Sequence, residues 1–181
     1  VVSVGADQSV CENSSVVLSA SGTPTISWDN GVTNNTSFVP NIGATTYTAT
    51  GTDANGCSNT ASVNITVNPN PVVTILGNTS YCQGTSASLQ VNTTAVSYVW
   101  SSGGNQQTET VTTADNPISV TITDANGCNA TSAALSVTEL LPVTTNNNIE
   151  ICQGQTATIH GNIETVDGTY TQVFPDVNGC D

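Results

Sequence analysis

The sequence predicts an all-β chain of small β-sandwiches in tandem, and three observations carry that expectation. Val (22 residues) and Thr (31) dominate, Met is absent, and no amphipathic helical stretch of useful length occurs. The chain repeats itself: Cys11, Cys82 and Cys152 are 71 and 70 residues apart, a period that suits a small sandwich and is too long for a solenoid coil. Short alternating segments are separated by Asn-Gly and Gly-rich turn signals.

In repeat 1, Val2 and Val4 suit a first strand and Val16-Val17-Leu18 a second. Thr25–Trp28 reads as a third, turned by Asp29-Asn30-Gly31, and Phe38-Val39 and Tyr47–Thr50 follow. Asn55-Gly56 then reads as a type I′ hairpin turn, with positive φ at both residues, leading into Ala61–Val67. Repeat 2 keeps the order: Val99-Trp100 turned by Ser101–Gly104, then Ile118–Ile122, Asn126-Gly127 and Ala133–Val137. Asn68-Pro69-Asn70-Pro71 and Leu141-Pro142 punctuate the chain, since proline stops a strand and stiffens a joint. The expected repeats are therefore 1–68, 69–140 and a shortened 141–181, arranged as a semi-rigid rod.

Charge excludes more than any motif does. The 181 residues include no Lys or Arg, 13 Asp and Glu, and one His, for a formal charge of −13. Nucleic-acid binding and docking on anionic lipid both need basic side chains. So do Arg clamps, a P-loop Lys and Schiff-base chemistry. No apolar run approaches the ~20 residues of a membrane span, so membrane insertion is not expected. No signal peptide opens the chain at Val1, which predicts an export signal already removed or a piece of a longer protein.

The six cysteines fall into early members, Cys11, Cys82 and Cys152, and late members, Cys57, Cys128 and Cys180. One of each per repeat predicts the pairs Cys11–Cys57, Cys82–Cys128 and Cys152–Cys180, one disulfide per repeat. A loop of this length, 46 residues between Cys11 and Cys57, is worth about 4 kcal/mol in the chain-entropy model, so the bonds are expected to staple domains of marginal size. Without CxxC, and with His160 alone, zinc is the weaker reading. Disulfides point to an oxidising, extracellular location.

Several residues together resemble a known family. Cys-x-Gly, then Trp-x-x-Gly, then Thr-Tyr-Thr-x-x-x-x-Asp-Ala-Asn-Gly-Cys and a Val/Thr strand ending in Asn-Pro are similar to the immunoglobulin-like (Ig-like) repeats of giant surface proteins secreted by Bacteroidota, including gliding-motility adhesins of the SprB kind. The most specific piece is the Asp-x-Asn-Gly-Cys hairpin at Asp53–Cys57, Asp124–Cys128 and Asp176–Cys180. The resemblance implies Ig-like sandwiches, a cell-surface or extracellular-fibre location, and a role in adhesion or motility. Repeat 3 departs from the pattern: it lacks a Trp, and Cys152 to Tyr170 spans 18 residues where Cys11 to Tyr47 spans 36.

Equivalent placement after the early cysteines marks Trp28 and Trp100 as core residues, and Tyr47 and Tyr170, each ten residues before a late cysteine, as structural. Tyr81, without a counterpart in repeat 1, is the better surface candidate. Asp53, Asp124 and Asp176 open turns whose amides they are expected to accept, because the Glu of a calcium loop never arrives. His160 has no local catalytic signature around it, so neither a catalytic residue nor a cofactor or metal site is expected. Sequons begin at Asn13, Asn34, Asn64, Asn78, Asn92 and Asn129.

Repeat 3 reaches Asn178-Gly179-Cys180-Asp181 without a final strand, which predicts an open edge at Tyr170–Phe174, including Val173. A natural continuation could fill it. So could the N-terminal Val1, Val2 and Val4 of another copy, giving a head-to-tail filament by strand addition. The expected function is a structural segment of an extracellular adhesin or filament, partnered by copies of itself or further repeats. The alternative is a module that binds surface glycans or a protein.

Overall fold

The computed structural model describes residues 1–142, 149–159, 162–164 and 168–170, together with Cys180. Among them the regular structure is β-strand, interrupted by one 3₁₀ turn at Thr113–Asp115.

Repeat 1 forms β1 (Ser3–Val4), β2 (Gln8–Cys11), β3 (Val16–Val17), β4 (Ala20–Ser21), β5 (Thr25–Trp28), β6 (Ser37–Phe38), β7 (Gly43–Thr52) and β8 (Ser58–Asn68). One sheet runs β2-β8-β7-β5, and the pairs β1–β4 and β3–β6 supply its opposite face. The alternation that predicted strands also sorts their side chains: Tyr47 and Ala49 of β7 and Val63, Ile65 and Val67 of β8 are buried, while their neighbours are not. They close on Val2, Val16, Leu18, Ala20 and Trp28 in one core. Asn30 and Gly31, at φ 55° and 73°, form the mirror-image turn after Trp28 that their residue types favour.

Repeat 2 forms β9 (Ile75–Gly77), β10 (Ser80–Cys82), β11 (Ala87–Val91), β12 (Ser97–Trp100), β13 (Thr108–Val111), β14 (Val120–Thr123), β15 (Asn129–Thr131) and β16 (Thr138–Leu140). Sheets β13-β11-β9 and β12-β14-β15 enclose a second, separate core centred on Leu89, Trp100, Val111, Ile118, Val120 and Ile122. In both repeats an early strand pairs parallel with the last one, β2 with β8 and β10 with β16. Two facing sheets of these compositions, with the chain's other pairings antiparallel, make an Ig-like sandwich. The last part holds β17 (Ile149–Ile151) against β20 (Gly168–Tyr170) and β18 (Ala157–Ile159) against β19 (Asn162–Glu164).

The structure departs from three expectations. The Asn55-Gly56 turn has positive φ at Gly56 alone (81°), so it is not type I′. The loop gains a residue because Asp53 takes part in the turn. The final strand expected at Ala133–Val137 is instead divided, because the chain leaves β14 and turns to β10: Ser132 closes the pairing with Val120, Leu135 makes an isolated bridge to Ile118, and Thr138–Leu140 pairs with Ser80–Cys82. The N-terminus is not a spare strand either. Val2 is 5% exposed in its own core, and Ser3–Val4 pairs with Ala20–Ser21, leaving Val1 as the one exposed valine of the segment. Burial of Val2 is what holds that segment at home, so strand donation by Val2 and Val4 loses its donor. Of the proposed acceptor, Tyr170 pairs with Ile149, whereas Val173 and Phe174 lie outside the described residues.

Candidate functional site

The cysteines and the turns that carry them are the most organised chemistry in the chain. In the β7–β8 hairpin, Asp53 Oδ1 accepts hydrogen bonds from the amides of Asn55 (2.8 Å) and Cys57 (2.9 Å), and Gly56 N donates to Asp53 O (3.1 Å). The β14–β15 hairpin repeats this: Asp124 Oδ1 accepts from Asn126 (2.9 Å) and Cys128 (2.8 Å), with Gly127 at φ 82°. The aspartates thus serve the turn amides, as expected; Asp176 lies outside the described residues. The early cysteines share a different turn. Ser14, Thr85 and Gln155 donate their amides to the carbonyls of Cys11, Cys82 and Cys152, across Asn13, Gly84 and Gly154 in the left-handed region.

The bonds themselves overturn the expected pairing. Cys11 joins Cys128 (Cα–Cα 5.5 Å) and Cys82 joins Cys180 (5.3 Å), while Cys57 and Cys152 are free and exposed. Each disulfide links the early cysteine of one repeat to the late cysteine of the next, so no repeat contains one disulfide of its own. The reason is the length of the last strand. Cys11 is the register partner of Asn68, the final residue of β8, whereas Cys57 precedes Ser58, its first. At ~3.3 Å per residue the two cysteines stand more than roughly 30 Å apart. A disulfide needs Cα atoms within about 7 Å. Cys82, opposite Leu140, and Cys128, just before Asn129, are separated in the same sense. The turn at Cys57 was legible in sequence, but the parallel pairing of β2 with the far end of β8, which sets Cys11 beyond its reach, was not.

Among the described residues, the aromatic side chains of the two cores pack inward. Trp28, Trp100 and Tyr47 are buried. Trp28 Nε1 donates to Asn34 Oδ1 (3.0 Å) and Trp100 Nε1 to the carbonyl of Gln106 (2.8 Å), each partner six residues on. Phe38 meets Tyr47 edge to face, ring centroids 5.4 Å apart. Burial, and then the negative charge of Asp29, push the Tyr47 hydroxyl above its ordinary 10.0. Tyr81, the better surface candidate among the tyrosines in sequence, is 7% exposed, and its hydroxyl accepts from Thr113 N at 2.6 Å. His160 lies outside the described residues.

Sequence reasoning missed two side-chain clamps. Asn34 Oδ1 also accepts from Ala20 N (2.8 Å) and its Nδ2 donates to Ala20 O (3.1 Å), mimicking a strand neighbour. Asn116 does the same for Val137. In sequence Asn34 stands out only as a sequon, and a side chain so engaged is a poor sugar acceptor. Asp7 accepts from the amide and side chain of Asn64, which holds its carboxyl below the ordinary 3.8. A groove of 380 Å³ beside β7 is lined by Asn30, Phe38, Pro40, Thr45 and Tyr47 among others. Among the described residues no cluster of three or more metal-ligating side chains occurs.

No protein-family model matches the chain, and no curated protein matches it. Among solved structures it is similar to murine CEACAM1b, at 13% identity and TM-score 0.35 over 77% of this chain and 100% of that one. It is similar also to the I9–I11 tandem of titin, at 16% identity and TM-score 0.30 over 87% and 73%. A third is the Bacteroides ovatus protein SGBP-B in complex with mixed-linkage heptasaccharide, at 14% identity and TM-score 0.27. That alignment covers 92% of this chain, which spans about half (55%) of the B. ovatus protein. The Ig-like description rests on the sheet topology itself.

Proposed function

We propose that this chain is a structural segment of an extracellular surface protein, an adhesin or filament, whose repeats are coupled so as to limit extension under load. The observation that carries the reading is the pairing of cysteines between repeats. Tension applied at Val1 and Asp181 passes through Cys11–Cys128 and Cys82–Cys180. That covalent path contains roughly 60 residues, about 210 Å when fully extended, against about 650 Å for the whole chain. A disulfide inside each repeat would lock each domain and leave the joints between them unprotected. Bonds across the joints protect those joints. The absence of any Lys or Arg suits the same setting, since trypsin-like proteases find no site even in unfolded chain.

The binding-module alternative has less support. The groove beside β7 is the place for it, but Tyr47 turns its ring into the core, 5% exposed, and offers no free aromatic face to a sugar.

Single-molecule pulling tests the proposal. With Cys57 and Cys152 capped by alkylation, the oxidised chain should reach no more than about a third of the contour length of the fully reduced chain. Equal contour lengths would overturn it. Surface labelling of intact cells of the source tests the location separately.

A further inference from the structure

Two disulfides of the same kind define a rule that the two remaining cysteines complete. In both, an early cysteine bonds the late cysteine of the following repeat: Cys11 with Cys128, Cys82 with Cys180. Under that rule, Cys57 is a late cysteine whose partner belongs to a preceding repeat, and Cys152 is an early cysteine whose partner belongs to a following one. These are the two thiols left free and exposed. We infer that Cys57 and Cys152 are half-rungs of a continuing disulfide ladder, and that between copies Cys152 of one chain bonds Cys57 of the next.

The placement of the two residues supports this reading. Cys11 and Cys57 occupy opposite ends of β8, so the bond from Cys11 toward repeat 2 leaves Cys57 at the end of repeat 1 that faces away. Cys152 directly follows β17, where Cys11 and Cys82 close β2 and β10. One free thiol is thus of the type that reaches backward and the other of the type that reaches forward. Two like thiols would close a dimer, whereas unlike ones propagate head to tail without closing.

The step is an oxidation. Each thiol loses its proton, one sulfur–sulfur bond forms, and two electrons pass to a low-molecular-weight disulfide such as oxidised glutathione, which leaves as two thiols. The −13 charge of each copy opposes approach in dilute salt, so the reaction is expected to be faster at physiological ionic strength than in low salt.

The inference deepens the structural reading above, and its test is chemical, so the two can fail separately. The full oxidised chain, carrying two titratable thiols per molecule, is incubated with oxidised glutathione and run on a non-reducing gel. The expected result is a ladder of covalent oligomers that collapses on reduction, with Cys57 joined to Cys152 in peptides from a protease that cuts at acidic residues. C57S alone and C152S alone should each stay monomeric, and their equimolar mixture should stop at dimers. Dimers from either variant alone, stable glutathione adducts without oligomers, or fewer than two thiols in the starting chain would each overturn the inference. Limited pulling extension without a ladder would leave the structural proposal standing and remove this one.

Discussion

Cys11 and Cys57, in the same repeat, stand at opposite ends of one strand: Cys11 is held beside Asn68 at the end of β8, and Cys57 precedes Ser58 at its start. A sandwich repeat therefore presents one cysteine at each end, and a bond is possible only where the end of one repeat meets the start of the next. Cys11–Cys128 is such a bond. It makes the disulfides joints between domains, while each core is left to hold by packing and hydrogen bonds.

Reduction separates these two roles. The cores of repeats 1 and 2 contain no disulfide, so far-ultraviolet circular dichroism at 25 °C should keep its sheet spectrum after complete reduction. The bonds act on the unfolded chain, where closing a loop of 100 residues is worth about 4.7 kcal/mol in the chain-entropy model. The expected outcome is a melting temperature lowered by several degrees and a larger radius of gyration in small-angle scattering. Loss of the sheet spectrum at 25 °C would show that the bonds hold the cores themselves.

Asn34 is the second structural commitment to test. Replacing it by alanine strands the Ala20 amide and carbonyl and the Trp28 Nε1 group at once. A part-buried polar group left without a partner costs about 1–3 kcal/mol. Asn34→Ala should lower the stability of repeat 1 by about 2 kcal/mol in urea titration. Gln106→Ala should be near neutral, because Trp100 Nε1 uses the backbone carbonyl there. Equal effects of the two substitutions would contradict the assignment.

The pH dependence follows from two groups with opposite signs. Asp7 has a folded carboxyl held below 3.8 by Asn64, so its contribution is present above that value and is lost as pH falls through the lowered one. Asp7→Asn should be less stable than wild type at pH 6, and the gap should narrow on acidification. Tyr47 is held above 10.0 by burial and by Asp29, so its contribution is complete below pH 10 and is lost as pH rises through the raised value. Tyr47→Phe should flatten the alkaline limb of a stability–pH curve measured by chemical denaturation. A flat acid limb in wild type, or an alkaline limb that Tyr47→Phe leaves unchanged, would count against these assignments.

What the sequence determined by itself is local. Alternation in Tyr47–Thr50 and Ala61–Val67 announced two strands and the faces they bury, because neighbouring side chains on a strand point to opposite sides whatever lies beyond it. Matched spacing placed Trp28 and Trp100 in equivalent cores, and Asp53 and Asp124 serve turns four residues long, so no distant residue was needed to foresee them. Tertiary structure decided whatever depends on which ends meet. Tyr81 is a core residue in a fold that brings Thr113, 32 positions away, to its hydroxyl. Val2 became a core residue rather than a donor because the strand at Ala20–Ser21 takes its neighbours. The disulfides are the clearest case. Counting early and late cysteines identifies the members of the set, but bonding requires approach within a few ångströms, and the parallel pairing of β2 with β8 carries Cys11 away from Cys57 and toward the next repeat.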